Sequence, residues 1–171
     1  RTSVSNIFAA GDVIGKYQFV YTAGYEGNLA AENALRGASR KADYSVLPWV
    51  IFTDPQVAGI GMDEKQAEEA GIKYDTTKLT LDNVPRSIAA RDTRGFIKLI
   101  RNKENDRLLG ARILAPEGSE LLMELALAMR HGVTVKSLIS EFHPYLTLSE
   151  GIKLAALSFD KDIKKLSCCA V

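Results

Sequence analysis

The sequence has few cysteines, no long apolar run and no excess of charge of either sign. Its only cysteines are the adjacent Cys168 and Cys169, so a framework of long-range disulfides is excluded. No run reaches the about 18 apolar residues that a membrane helix needs, and residues 1–6 lack the apolar stretch of a secretory signal. These absences favour an ordinary soluble protein, with the cytoplasm as its expected location.

Charge and composition narrow the class of partner further. The 22 basic and 21 acidic side chains leave a formal charge of +1, which gives no field to attract nucleic acid or an anionic membrane. A hydrophobic content of 46% in 171 residues supplies one sizeable core, or one core and a fragment of another. The chain opens at Arg1, a few residues before an apolar run, which predicts a piece cut from a longer protein.

The first part of the chain has the pattern of one strand and one helix. A short apolar run at residues 4–10 ends in Gly11-Asp12, which predicts a buried strand that carries an acid at its carboxyl end. Ligands of open α/β sheets bind at such ends. A helical pattern over residues 19–35 follows, with a stop signal at Gly37. The polar stretch 39–45 then predicts a domain boundary.

The rest of the chain alternates strand-like and helical patterns. Strand-like runs lie at residues 50–53, 57–61, 74–81, 95–101 and 108–114. Helical patterns lie at residues 63–70, 117–131, 135–140 and 147–159. A polar turn at residues 102–106 joins the last two strands into a hairpin. The order of strands, hairpin and then helices predicts an α+β fold with a mostly antiparallel sheet and flanking helices.

Two motifs resemble the flavin-dependent pyridine nucleotide-disulfide oxidoreductases in their order and spacing. The first is Ile-Phe-Ala-Ala-Gly-Asp at residues 7–12, followed by a helix, and the second is Phe-Thr-Asp-Pro-Gln-Val-Ala-Gly-Ile-Gly at residues 52–61. The resemblance implies that Asp12 binds the ribityl chain of FAD and that the backbone near Val20 approaches the flavin ring. A helix N-terminus there would stabilise negative charge on reduced flavin. Read alone, the Gly-Asp pair is equally well explained as a simple turn.

A third motif, Phe-His-Pro-Tyr-Leu-Thr-Leu-Ser-Glu at residues 142–150, departs from one branch of the family. Members similar to lipoamide dehydrogenase carry a histidine base shortly before Thr-Leu-Ser-Glu. Alignment on that stretch puts Tyr145 where the histidine belongs and leaves His143 without a role. A phenol, with a pKa of about 10, is a poor proton shuttle at neutral pH but can donate a hydrogen bond or contact a metal. The departure argues against disulfide substrates and favours a catalytic, metal-facing Tyr145. The alternatives are a packed aromatic residue at this position and a helix cap formed by Thr147 and Glu150.

The mercuric reductases of this family resemble more of the sequence. The shared segments are residues 79–86, 144–147 and 150–156 and the ending Leu-Ser-Cys-Cys at 166–169. The resemblance implies a cytoplasmic homodimeric flavoenzyme in which NADPH reduces FAD, FAD reduces a cysteine pair, and electrons pass to Hg(II). The chain has no G-x-G-x-x-G loop and no C-x-x-x-x-C pair. NADPH binding and the redox cysteines are therefore expected outside this sequence, and this chain alone is expected to be inactive.

The adjacent Cys168 and Cys169 suit a soft metal. Two thiolates can replace the two ligands of a linear Hg(II) complex, and Lys161, Lys164 and Lys165 would favour the thiolate form. Neighbouring side chains of an extended strand point to opposite faces, so holding one ion by both sulfurs needs a bent chain. The pair is expected to collect Hg(II) and to deliver it to the partner subunit. The alternative is a prenylation box, which Cys-Cys-Ala-Val formally fits.

The resemblance implies a plan of three segments. Residues 1–43 would be the end of an FAD-binding domain, residues 44–160 a dimerisation domain, and residues 161–171 a metal-binding tail. Two alternatives stay open. The chain could be a fragment of a related reductase similar to dihydrolipoamide dehydrogenase, or a stand-alone dimerising module that binds metal.

Overall fold

The computed structural model describes residues 1–37 and 39–163. Residue 38 and residues 164–171, which include both cysteines, lie outside the described part. The chain divides into two compact units, one of residues 1–44 and one that begins at Ser45. Among the described residues, no helix is long and apolar enough to span a membrane.

The first unit is built on one long helix, α1, Val20–Leu35. Phe19 precedes it in an extended conformation, and Gly37, just past its end, has a left-handed φ of 64°. The predicted helix and its stop signal are therefore confirmed. The prediction of a buried strand at residues 4–10 is wrong: the segment begins in a turn, in which the Ile7 N–H donates to the Val4 carbonyl, and the side chains of Val4 and Ile7 are about half exposed. A strand needs a neighbour to supply its ladder of hydrogen bonds, and the described residues of this unit contain no strand.

The second unit is built on an antiparallel sheet. Its strands are β1 Trp49–Ile51, β2 Gln56–Gly61, β3 Tyr74–Thr80, β4 Phe96–Asn102 and β5 Leu108–Ala115. They lie in the order β1-β2-β5-β4-β3, and every neighbouring pair is antiparallel. The predicted hairpin of the last two strands is confirmed, since Ile97 pairs with Ile113 and Leu99 with Ala111. These four side chains are all buried.

Short helices flank the sheet and confirm the predicted α+β fold. Within the described residues they are α2 Glu64–Glu69, α3 Pro85–Ala89, α4 Leu122–Arg130, α5 Val135–Ser140 and α6 Glu150–Leu157. α4 begins later than predicted, after a 3₁₀ turn at Gly118–Leu121, because Glu117 has a left-handed φ of 55°. α6 also begins later than predicted, at Glu150, and Leu146 in the loop before it has a left-handed φ of 65°, which a right-handed helix does not contain. α3 was not predicted, although Pro85 at its first position is a helix-start signal.

The core of this unit lies between the sheet and two of the helices. α4 packs on β2 and β5, and α6 packs on β3 and β4. Leu125 of α4 and Ile152 of α6 are fully buried, as is Ile97 of β4. Gly151 allows α6 to approach the sheet closely, because a Cβ there would lie 2.8 Å from the end of the Ile97 side chain. α4 and α6 are thus packed closely on the sheet, and both contact the loop that contains Tyr145.

Candidate functional site

A buried carboxylate binds the turn that contains Asp12. Glu26, on α1 and 5% exposed, accepts a hydrogen bond from the Gly11 backbone N–H at 2.7 Å. Its other oxygen accepts a hydrogen bond from the Tyr44 hydroxyl at 2.7 Å. Gly11 is buried with a left-handed φ of 77°, and a Cβ there would lie 3.3 Å from that of Ala23. Glu26 therefore fixes the backbone next to Asp12, a role that the sequence alone does not reveal.

Tyr44 completes this contact. Burial raises the pKa of its hydroxyl to about 12, and the hydrogen bond to the Glu26 carboxylate is the second cause. The phenol therefore stays protonated, and able to donate, throughout the physiological range. Its ring centroid lies 4.8 Å from that of Tyr17, and the Lys16 ammonium lies 4.5 Å from the Tyr44 ring centroid. The hydrogen bond to Glu26 is thus supported by ring and cation contacts.

Asp12 and Val20 lie in this same unit, in the 3₁₀ turn Gly11–Ile14 and at the first residue of α1. The Asp12 side chain is exposed and has no hydrogen-bond partner in the part of the chain that the structure describes. Val13 and Val20 are 80% and 88% exposed. The first turn of α1 has no side-chain cap, so its positive end is open to a ligand. A free carboxylate beside apolar surface fits a hydroxylated chain attached to a flat ring, as in FAD.

Tyr145 lies in the loop of residues 141–149 between α5 and α6, and its side chain is 62% exposed. The Glu150 N–H donates to the Thr147 hydroxyl oxygen at 3.2 Å. The Leu146 N–H donates to the Glu150 carboxylate at 3.2 Å. Thr147 and Glu150 are therefore in contact as predicted, but the residue that caps α6 is Ser149, without a side-chain hydrogen bond, and the carboxylate is one residue away from the capping-box position.

The same loop is bonded to α4 and to the buried side of α6. The Nε2 atom of His143 lies 2.8 Å from the Glu124 carboxylate on α4, and the imidazole is only 7% exposed. Lys153 of α6 is buried, and its Nζ donates to the Glu141 carbonyl at 3.0 Å. The sequence alone gives these side chains no role. No sequence signal points to a contact between residues so far apart in the chain.

Apolar side chains are exposed near this loop. Phe142 is 97% exposed, and α4 exposes Met123 and Leu127 to 58% and 56%. Leu127, Phe142 and His143 are among the residues that line a surface cavity of about 470 Å³. Exposed apolar groups that cluster in this way are typical of a surface that another chain covers.

The predicted mercury ligands, Cys168 and Cys169, lie outside the described residues. Their binding of Hg(II) therefore stays a prediction. Within residues 1–37 and 39–163, no group of three or more His, Cys, Asp or Glu side chains is arranged to hold a metal.

The second unit matches a known protein family. A profile of the pyridine nucleotide-disulphide oxidoreductase dimerisation domain matches residues 47–156, which include all five strands of the sheet. This chain therefore belongs to that family.

Solved structures of flavin-dependent disulfide reductases and their relatives have a similar fold. LpdA from Mycobacterium tuberculosis superposes with a TM-score of 0.80 at 26% identity, over 91% of this chain and 34% of that one. A Cu(II) complex of the HOCl-induced flavoprotein disulfide reductase RclA from Escherichia coli superposes with a TM-score of 0.83 at 28% identity, over 94% of this chain and 36% of that one.

Within the family, the chain is similar to proteins named mercuric reductase. It is 51% identical to the one from Shigella flexneri, 49% to the one from Acidithiobacillus ferrooxidans and 46% to the one from Staphylococcus aureus. Each comparison covers 99% of this chain but only 30% or 31% of the relative. The chain thus spans about a third of the length of these relatives.

Proposed function

We propose that this chain is the C-terminal portion of a mercuric reductase, a homodimeric flavoenzyme that reduces Hg(II) to Hg(0) with NADPH and FAD. The observation that carries the proposal is the 51% identity, over 99% of the chain, to the mercuric reductase of Shigella flexneri. On this proposal the chain contributes part of the flavin site, at Asp12 and Val20, together with the dimer interface, Tyr145 and the terminal cysteine pair. The nucleotide-binding parts come from the rest of the enzyme.

Asp12 and the start of α1 would bind the flavin. When bound, FAD supplies a two-electron relay between NADPH and the metal substrate. The exposed Asp12 carboxylate would accept hydrogen bonds from the ribityl hydroxyls, while Glu26 keeps the adjacent backbone in place through Gly11. Val20, 88% exposed at the uncapped start of α1, would lie against the ring, where the helix dipole favours negative charge.

Cys168 and Cys169 would collect Hg(II) and deliver it to the active site of the partner subunit. Each transfer breaks one Hg–S bond as an incoming thiolate forms another, so the cysteines of the tail are neither oxidised nor reduced. The two electrons that convert Hg(II) to Hg(0) come from NADPH, which becomes NADP⁺ and releases a proton. Tyr145, exposed on its loop, would contact the ion through its phenol oxygen during the transfer.

The test uses the full-length enzyme and two forms of the substrate. Cys168→Ala combined with Cys169→Ala should slow NADPH oxidation when Hg(II) arrives bound to a bulky thiol. Small, weakly bound Hg(II) complexes should still be reduced, because they can reach the inner site without thiol exchange at the tail. Ser167→Ala, which leaves both thiols in place, is the matched control.

Two results would contradict the proposal. Equal rates for wild type and the double variant with thiol-bound Hg(II) would rule out delivery by the tail. Reduction of disulfides without reduction of Hg(II) would assign the chain to a flavin disulfide reductase instead.

A further inference from the structure

We propose that Glu124 and His143 form a positioning pair that orients the loop of Tyr145, so that the handling of Hg(II) by Tyr145 depends on α4. This inference rests on the proposed function. It adds two residues, neither of which contacts the metal, and it gives α4 a role besides packing on the sheet.

The contact itself is short and shielded from solvent. Because a carboxylate can only accept, the His143 Nε2–H donates to Glu124, over 2.8 Å. The imidazole is 7% exposed and the carboxylate 30%, so water competes weakly for this bond and salt screens it little. The other ring nitrogen lies 3.3 Å from the Glu141 carbonyl. The hydrogen bond from Nε2–H therefore links His143, near the start of the loop, to α4.

The short segment between His143 and Tyr145 can transmit this constraint. Only Pro144 separates them, and its ring fixes its own backbone φ at about −65°. On the far side, Leu146 has a left-handed φ of 65°, a strained state that persists only when neighbouring contacts stabilise it. The Glu150 carboxylate supplies one such contact through the Leu146 N–H. Tyr145 thus lies between His143, whose side chain contacts the Glu124 carboxylate of α4, and Leu146, whose N–H donates to the Glu150 carboxylate of α6.

Burial cannot position Tyr145, because its side chain is 62% exposed. Its direction must therefore come from the backbone. The α4 core residues Leu122 and Leu125 are buried and do not depend on the carboxylate of Glu124. Removal of that carboxylate should therefore release the loop while α4 stays packed on the sheet.

The test is a double-mutant cycle in the full-length enzyme. The single variants are Glu124→Ala and Tyr145→Phe, and kcat/KM is measured with thiol-bound Hg(II). Glu124→Ala should lower kcat/KM by about tenfold, as expected for loss of one hydrogen bond to a charged group. In the Tyr145→Phe background the same change should cost less than about twofold, because residues that act through one another are not additive.

Two further variants separate positioning from general stability. Glu124→Gln keeps an acceptor oxygen and should restore most of the rate, whereas Glu120→Ala, at an exposed residue near the start of α4, should not change it. If Glu124→Ala does not fold, His143→Leu removes the donor instead and enters the same cycle.

The outcomes are distinct. Equal losses from Glu124→Ala in both backgrounds would show a merely structural role and overturn the inference. No loss from Glu124→Ala would overturn it as well. A Tyr145→Phe single variant with the wild-type rate would instead refute the proposed role of Tyr145, and the positioning role would fall with it.

Discussion

Replacement of Glu26 tests whether a buried carboxylate sets the geometry of the Asp12 turn. Glu26→Ala removes the acceptor of two hydrogen bonds, from the Gly11 N–H and from the Tyr44 hydroxyl, each 2.7 Å long. The Glu26 side chain is 5% exposed, so water has little access to the two donors that lose their acceptor. A hydrogen bond to a charged group contributes about 1.5–3 kcal/mol. With partial relaxation, Glu26→Ala should cost about 3 kcal/mol.

Glu26→Gln should be milder. The amide keeps one acceptor oxygen for the Gly11 N–H, and its NH₂ group can donate to the Tyr44 oxygen. The geometry therefore survives, but the charge that strengthens both bonds is lost. A cost of about 1 kcal/mol follows from the difference between charged and neutral hydrogen bonds.

Native-state hydrogen exchange at the Gly11 amide measures this cost locally. A loss of about 1.4 kcal/mol from the opening free energy raises the exchange rate about tenfold. The Gly11 amide hydrogen should therefore exchange about a hundredfold faster in Glu26→Ala than in the wild type, and about fivefold faster in Glu26→Gln. Far-UV circular dichroism during urea unfolding reports whether the rest of the chain is affected.

Glu32→Ala on the same helix is the matched control. Glu32 pairs with Arg36 and Arg40 on the exposed surface, where such pairs contribute about 0–1 kcal/mol. Its removal should leave the Gly11 amide unchanged. If Glu26→Ala and Glu32→Ala gave the same Gly11 exchange rate, the positioning role of Glu26 would be refuted.

Three further predictions concern this chain in isolation. The purified chain should be colourless and should not oxidise NADPH with Hg(II), because Asp12 supplies only one contact to FAD; a flavin absorbance spectrum would contradict this. It should sediment as a dimer through the surface of Leu127 and Phe142, and Leu127→Glu should shift it to monomer; a monomeric wild type at micromolar concentration would argue against this. The hydrogen bond from Arg101 lowers the pKa of Asp75 below its ordinary 3.8, so the stabilisation from ionised Asp75 is present above pH 3.8 and lost as the pH falls through the lower folded value. Asp75→Asn should remove that part of the acid sensitivity, measured from urea midpoints at about pH 7 and about pH 3, and an unchanged pH dependence would refute the link.

Elements with local signals can be predicted closely from the sequence. The predicted helix over residues 135–140 coincides with α5, Val135–Ser140. The Thr134 hydroxyl accepts a hydrogen bond from the Ser137 N–H at 3.0 Å, and this cap lies within the helix's own first turn. α2 is similar, since Asp63 and Gln66 form a capping box at its start. Such signals lie within a few residues of the helix end, where the sequence order reveals them.

Secondary-structure elements that are very short, or that form only through contacts distant in the sequence, are harder to predict. α3, Pro85–Ala89, is too short for the spacing of apolar residues to show a helical period. The apolar run at residues 4–10 has the composition of a buried strand, but a strand forms only where another strand pairs with it. The composition of a segment indicates its conformational preference, whereas strand pairing depends on which segments lie beside it in the fold.

The same distinction explains which part of the candidate site could be predicted. Asp12 and Tyr145 stand out because they lie in short motifs. Glu26 and Glu124 do not, since they contact backbone or side chains 15 and 19 residues away in the sequence. An exposed functional side chain has few contacts of its own. Its orientation therefore depends on the position of the backbone that carries it. In both units we assign that constraint to a carboxylate on a helix, Glu26 of α1 and Glu124 of α4. Residues of this kind emerge only when the folded chain brings the helix and the loop together.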